Sequence, residues 1–227
     1  MGTVFTVQKE LRLRGGSTKR IVLVCAALAA IHSLLASRPV KDLTRRIVGH
    51  RYRNGLYRFA FNAKSVLLLA WATYWFLRLP DQEIYRVRAP WSWFFRAGQA
   101  ASLGVVLSAV RVIGVLDFAG ISQLRSFLAG LEPDPEPEAQ GPPIGVDGRM
   151  VTAQPFRFAR HPSNLGALGV FLLFPRITVN RVTLTALVAL YAIVGSLHEE
   201  RRLRVAYGEP FEQYRREVPF FIPRLRG

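Results

Sequence analysis

A single cysteine, Cys25, stands in a chain of 227 residues. No disulfide can close within the chain, and no cysteine-based metal site can form. Cys25 lies inside an apolar run, where a thiol packs as a small core residue. Acidic residues are scarce as well, 15 Asp and Glu against 31 Lys and Arg, for a net charge of +16. Nucleic-acid binding is one use of such a charge. Here the basic residues lie between apolar runs, where topology determinants and lipid-headgroup contacts belong. That distribution argues against a nucleic-acid partner. The amphipathic periods of 3.6 or 2 expected of a soluble domain are also largely missing.

What is present is hydrocarbon. Half of the residues are hydrophobic, gathered at 21–35, 65–77, 100–115, 165–174 and 182–197. Near-continuous apolar runs approaching 20 residues read as membrane-crossing helices. The expected fold class is an all-α integral membrane protein. It has about five transmembrane helices, a C-terminal helical hairpin and a surface helix, in one membrane domain.

Residues 1–20 read as a basic tail loosened by Gly15-Gly16, followed by a retained first helix over 21–37 rather than a signal peptide. Arg38-Pro39 ends that helix, and 38–56 reads as a basic loop. A second helix spans 57–79. Arg58, Asn62 and Lys64 lie in its first turns, and Trp71, Tyr74 and Trp75 near its far end suit an aromatic belt. Trp91, Trp93, Phe94 and Phe95 open a third helix that runs to 118. Its small residues Gly98, Ser102, Gly104 and Ser108 predict close packing against another helix. Helices 1–3 thus fill 21–130. The Pro- and acid-rich segment 131–150 reads as a linker without regular structure. Residues 151–227 then form the hairpin, with helices at 162–174 and 179–200 turned by Pro175-Arg176, a surface helix over 201–214 and a tail.

Five spans put the termini on opposite sides. With the C-terminus inside, the inside segments hold 17 Lys and Arg and the outside ones 10, as the positive-inside rule prefers. The expected location is a bacterial inner membrane, with the active site on the cytoplasmic face.

The chemistry gathers at the two ends of the hairpin. Arg160-His161-Pro162 precede the first helix. Proline suits a first helical turn, because its missing N–H would be unpaired there. The amides of Ser163 and Asn164 are then free to face an anion such as a carboxylate. Glu199-Glu200 end the second helix, against the helix dipole, and suit a cationic ligand. Arg111 and Asp117 are ionisable residues at the edge of the third span, a position that marks a functional candidate.

The stretch 151–166, with Pro155-Phe156-Arg157-Phe158 and Arg160-His161-Pro162-Ser163-Asn164-Leu165-Gly166, resembles the "GPY-x-Y-x-RHP-x-Y-x-G" signature of isoprenylcysteine carboxyl methyltransferase-like membrane enzymes. Glu199-Glu200-Arg201-Arg202-Leu203, Tyr207-Gly208, Phe211, Tyr214, Val218-Pro219 and Ile222-Pro223 resemble that family's ending. His32-Ser33-Leu34, Tyr57-Arg58, Phe61-Asn62 and 117–124 look like its bacterial branch, which includes NnrU-type proteins and methanethiol S-methyltransferases.

The resemblance implies S-adenosylmethionine as cofactor and a lipid-facing entrance for a second substrate, a small thiol or a lipophilic acceptor. It implies cofactor-binding roles for Gln154, Pro155, Phe156, Arg157, His161, Pro162, Ser163, Asn164, Leu165, Glu199 and Glu200. Arg160, His161 and Glu200 are the catalytic candidates. Gln154 stands where the family has Gly, Asn164 where it has Tyr, and Ser196 where some eukaryotic members have Arg. Those departures speak against a prenylcysteine substrate more than against the cofactor. The alternatives are an NnrU-like haem-binding isomerase or redox accessory protein, with His32 and His161 as the iron ligands, and a non-catalytic member of the fold. A sterol-reductase-like NADPH enzyme shares the hairpin, but the basic nucleotide-phosphate motif is missing.

Overall fold

The computed structural model describes residues 2–137 and 141–222, with side chains from residue 16 onward. Pro223 and the rest of the tail lie outside the described residues, as do three residues of the acidic linker. The described chain is mostly helical, with a long non-helical stretch between residues 128 and 162. Its elements are α1 (Gly2–Ala36), α2 (Arg38–Val48), α3 (His50–Leu77), β1 (Glu83–Arg86), α4 (Trp91–Ile113), α5 (Val115–Ala119), α6 (Ile121–Leu128), α7 (Pro162–Leu172), β2 (Arg176–Thr178), α8 (Val179–Tyr207) and α9 (Glu209–Glu217).

Three helical segments are long and apolar enough to cross a membrane, Gly16–Ala36, Trp91–Ile113 and Val179–Tyr207. The all-α membrane class therefore stands, while five spans are not established by length and composition. Helix α3 is long enough, but Arg51, Arg53, Arg58 and Lys64 fill its first half. Helix α7 has 11 residues, about 16 Å at 1.5 Å per residue and too short for a bilayer core. The surface inverts that of a soluble protein. Leu23, Leu67, Leu103, Leu107 and Leu190 are all exposed, as lipid contact requires.

Several boundaries differ from the sequence reading. Helix α1 begins at Gly2 and continues through the segment expected to be a tail. Two glycines cost a helix about 1 kcal/mol each relative to alanine, which a long helix can absorb. The expected basic loop 38–56 instead holds α2 and the start of α3. Pro39 sits in the first turn of α2, where it starts a helix as readily as it ends the one before. The third helix breaks at Gly114, whose φ is +103°, and the chain re-forms as α5 and α6.

Small residues set the helix spacing where α4 meets α7. A Cβ at Gly166 would lie 2.6 Å from the Ser102 carbonyl oxygen, and one at Gly98 would lie 2.8 Å from Leu173. Gly104, expected at the same seam, has nothing within 4 Å of such an atom. Gly120, at φ +79°, does the same for α3, since a Cβ there would meet the Phe59 amide nitrogen at 2.6 Å. Arg58 and Asn62 both donate to the Phe118 carbonyl, at 3.1 and 2.8 Å. The motif pieces Tyr57-Arg58, Phe61-Asn62 and 117–120 are thus one packed junction.

The connections sort into two ends. At one end the loops after α3 and α7 pair as a short antiparallel ladder, Tyr85 opposite Ile177 and Arg86 opposite Arg176. Ser17 and Asn180 both donate to the Pro80 carbonyl there, each at 3.0 Å. At the other end α2, the described part of the linker, the 150–161 loop, α9 and residues 218–222 come together. A compact apolar core lies at this second end, built from Ala109, Met150, Phe156, Leu203, Phe211, Tyr214 and Val218.

A Gly166→Leu change should therefore force α4 and α7 apart, costing about 1–3 kcal/mol as overpacking does. Thermal unfolding in detergent checks this, with Gly104→Ala expected to leave the midpoint unchanged or raise it.

Candidate functional site

The start of α7 and the last turns of α8 meet at a cluster of four ionisable side chains, His161 and Glu200 buried, Arg160 largely so and Glu199 at the rim. Pro162 opens α7, with His161 as the residue before it and no side-chain hydrogen bond closing that helix end. Arg160 donates from Nε to Glu200 Oε1 at 2.6 Å. His161 Nε2 lies 3.3 Å from the same oxygen, and His161 Nδ1 lies 3.3 Å from Glu199 Oε2. The hairpin places the two ends together because α8 runs back along α7, and Asn164 Nδ2 donates across that seam to Ser196 Oγ at 2.8 Å. Asn164 and Ser196, both departures from the family pattern, are thus partners of each other.

The sequence suggested two separate half-sites, one for a ligand carboxylate and one for its cationic groups. The structure pairs them directly. His161 is only 3% exposed. Burial by itself pushes its pKa down, but the hydrogen bonds and charges of Glu199 and Glu200 outweigh burial and hold it above the ordinary histidine value. The rings of Phe220 and Phe221 stand edge-on to the imidazole, with centroids at 5.0 and 6.2 Å.

Arg160 also braces the C-terminal segment. Its Nη1 donates to the Arg215 carbonyl at 3.1 Å and to that of Val218, and its backbone amide donates to Pro219 at 2.9 Å. Tyr214, buried beneath, donates from its hydroxyl to the Phe156 carbonyl at 2.8 Å. Burial pushes the Tyr214 phenol upward, so it stays a donor. The other candidates from this loop divide. Pro155 and Phe156 are buried, with Phe156 in the apolar core, while Gln154 and Arg157 are exposed. Pro162 is buried, and Ser163 and Leu165 are half-buried in the first turns of α7.

His32 does not join the cluster. Its ring packs on Phe61 at 4.8 Å and faces Tyr191 at 6.4 Å. Tyr191 precedes Glu199 by eight residues of α8, about 12 Å along the helix. The two histidines thus pack against different levels of α8, His32 beside Tyr191 and His161 beside Glu199 and Glu200, and the haem alternative is not favoured. Arg111 and Asp117 are both exposed.

Two features were not anticipated. Phe220 and Phe221 lie between the recognised Pro219 and Ile222, and only the fold shows them against His161. The second is Glu136, read as part of an unstructured acidic linker. Its carboxylate meets Lys41 at 2.8 Å, Arg53 at 3.4 Å and Arg58 at 3.7 Å, and all four side chains are largely buried. These partners lie 78 to 95 residues away in the chain, so no local pattern announces them.

Comparison with known proteins follows the same lines. No protein-family model matches the chain, and no solved structure matches it. The methanethiol S-methyltransferase of Pseudomonas deceptionensis is 25% identical over 212 residues, covering 90% of this chain and 72% of that protein. The methanethiol S-methyltransferase of Mycobacterium tuberculosis is 25% identical over 225 residues, covering 96% and 83%. Methanethiol S-methyltransferase 1 of Bradyrhizobium diazoefficiens is 26% identical over 212 residues, covering 91% and 67%. The chain is thus similar to methanethiol S-methyltransferases over most of its length. That agrees with the isoprenylcysteine carboxyl methyltransferase-like, NnrU-like membrane class named by its motifs.

The raised His161 pKa has a definite sign. A raised folded-state pKa contributes stability that is complete below the unfolded value of about 6.5 and is lost as pH rises through the folded value. The melting temperature of the detergent-solubilised protein should therefore fall as pH rises across that window. His161→Gln should flatten this part of the profile.

Proposed function

We propose that this protein is an S-adenosylmethionine-dependent membrane methyltransferase acting on a small thiol. The observation that carries the reading is the His161–Glu199–Glu200 cluster beside an uncapped helix N-terminus. An α-amino acid group brings one carboxylate and one ammonium. It can exchange partners with an internal ion pair without leaving either charge buried alone. His161 and the α7 N-terminus suit the carboxylate, and Glu199 suits the ammonium. Asn164, Ser163 and Leu165 would border the cofactor. Glu200, held by Arg160, would set the orientation of His161. The cofactor supplies an electrophilic methyl on a sulfonium.

Transfer of that methyl to a thiolate destroys charge, so a dry pocket favours it. The chain's own part is to align the reactants and exclude water. The buried imidazole and the flanking Phe220 and Phe221 rings suit that task. The relatives' names support a small thiol as acceptor. A cytoplasmic site in a bacterial inner membrane is part of the proposal, supported by the charge distribution alone.

Calorimetry of the solubilised protein with S-adenosylhomocysteine tests the cofactor. Micromolar to millimolar binding is expected. Glu199→Gln and His161→Ala should each weaken it by about 1–3 kcal/mol, the worth of a charged hydrogen bond. No binding at millimolar ligand would sink the reading.

A further inference from the structure

No residue of α2 is buried, although its sequence separates apolar from charged positions around the helix. Leu43 and Ile47 stand one turn apart on one face. They are 55% and 73% exposed, so the described chain leaves this face uncovered. An apolar helix face without a protein partner marks a docking surface.

The rotation of α2 is fixed from its other side. Lys41 reaches Glu136 of the linker at 2.8 Å, and both side chains are largely buried. Arg53 and Arg58 of α3 hold the same carboxylate. Leu43 and Ile47 lie about 160° and 120° around the helix from Lys41, and so point away from the linker. The depth of α2 is fixed as well. Ser37 alone separates it from α1, whose portion Gly16–Ala36 is long and apolar enough to cross a membrane. Helix α2 therefore starts where a span ends. Its 11 residues cover about 16 Å, too short to cross a bilayer core.

The charges choose the occupant. Arg45 is exposed and meets Asp42 at 3.4 Å. Arg46 is exposed and has no acidic partner among the described residues. It stands about 60° around the helix from Leu43, at the rim of the apolar face. An apolar face with a cation at its rim, held at headgroup level, fits the boundary of an anionic bilayer. A second copy docked face to face would bring like charges together instead.

We infer that α2 lies in the plane of the membrane and docks on anionic phospholipid. Leu43 and Ile47 enter the acyl boundary, and Arg46 meets a headgroup phosphate. The surface belongs to the leaflet on the side of the Arg160–Glu200 cluster. The inference rests on the membrane class and not on the methyltransferase reading.

The test places a nitroxide at one position at a time in the full-length protein in lipid nanodiscs. The sites are Asp42→Cys, Leu43→Cys, Arg45→Cys and Ile47→Cys in a Cys25→Ala background. Collision with oxygen, which prefers hydrocarbon, and with a water-soluble nickel chelate reports depth. In bilayers containing phosphatidylglycerol, labels at 43 and 47 should meet mostly oxygen, and those at 42 and 45 mostly the chelate. Adding Arg46→Gln should shift the label at 47 toward water. The docking equilibrium should fall about fivefold, the change that about 1 kcal/mol for one cation makes. Arg46→Lys should restore the depth, separating loss of charge from loss of fold. Pure phosphatidylcholine should weaken docking as Arg46→Gln does. Four labels equally open to the chelate overturn the inference. Labels at 43 and 47 shielded from both collision partners would mean that protein, such as a second copy, covers the face, which also overturns it. So does a depth at 47 that responds neither to lipid charge nor to Arg46→Gln.

Discussion

The second end of this molecule depends on one oxygen atom, Glu200 Oε1, which receives both Arg160 and His161. A carboxylate this far from water must be paired, because an uncompensated buried charge costs several kcal/mol. Satisfying Glu200 fixes the last turns of α8 against the loop before α7. Arg160 then uses its remaining donors on carbonyls of α9 and the segment after it. Tyr214 reaches back to Phe156 and closes the apolar core beneath. The charge cluster and the core are therefore one cooperative unit, although one is polar and the other is not.

Hydrocarbon sets the other constraint. Along most of α1, α4 and α8 the apolar side chains point outward, so burial of oil cannot hold these helices together as it does in water. Close backbone approach does that work instead, at Gly166 and Gly98 between α4 and α7 and at Gly120 against α3. The short β1–β2 ladder and the Pro80 carbonyl gather the connections at the first end. Glu136, gripped by Lys41, Arg53 and Arg58, ties the linker to the second. The result is a thin bundle with a well-packed cap, and the ionisable chemistry sits in the cap and just beneath it.

Much of the fold was legible in the sequence because hydrophobic runs are local. The apolar spans from 21 and from 179 and the hairpin turn near Pro175 follow from neighbouring residues, while the surface helix expected over 201–214 forms only at Glu209–Glu217, because α8 runs on to Tyr207. The boundaries that differed have specific causes. Pro39 begins a helix, two glycines fail to stop α1, and Gly114 at positive φ bends a helix whose composition reads straight through. The candidate site was legible as two clusters of the right residue types, Arg160-His161 and Glu199-Glu200.

Sequence alone determined the membrane class, the excess of cations, and the two charged clusters on which the proposed function draws. Tertiary structure alone decided that the two clusters neutralise each other at 3.3 Å. It also showed that Asn164 and Ser196 are partners and that His32 packs against Tyr191 of α8 rather than against Glu199 and Glu200. The reason is the range of the interactions. Hydropathy and helix signals act over a few residues and are written along the chain. Ion pairs between residues tens of positions apart depend on how helices cross and at what depth, which the order of residues does not state.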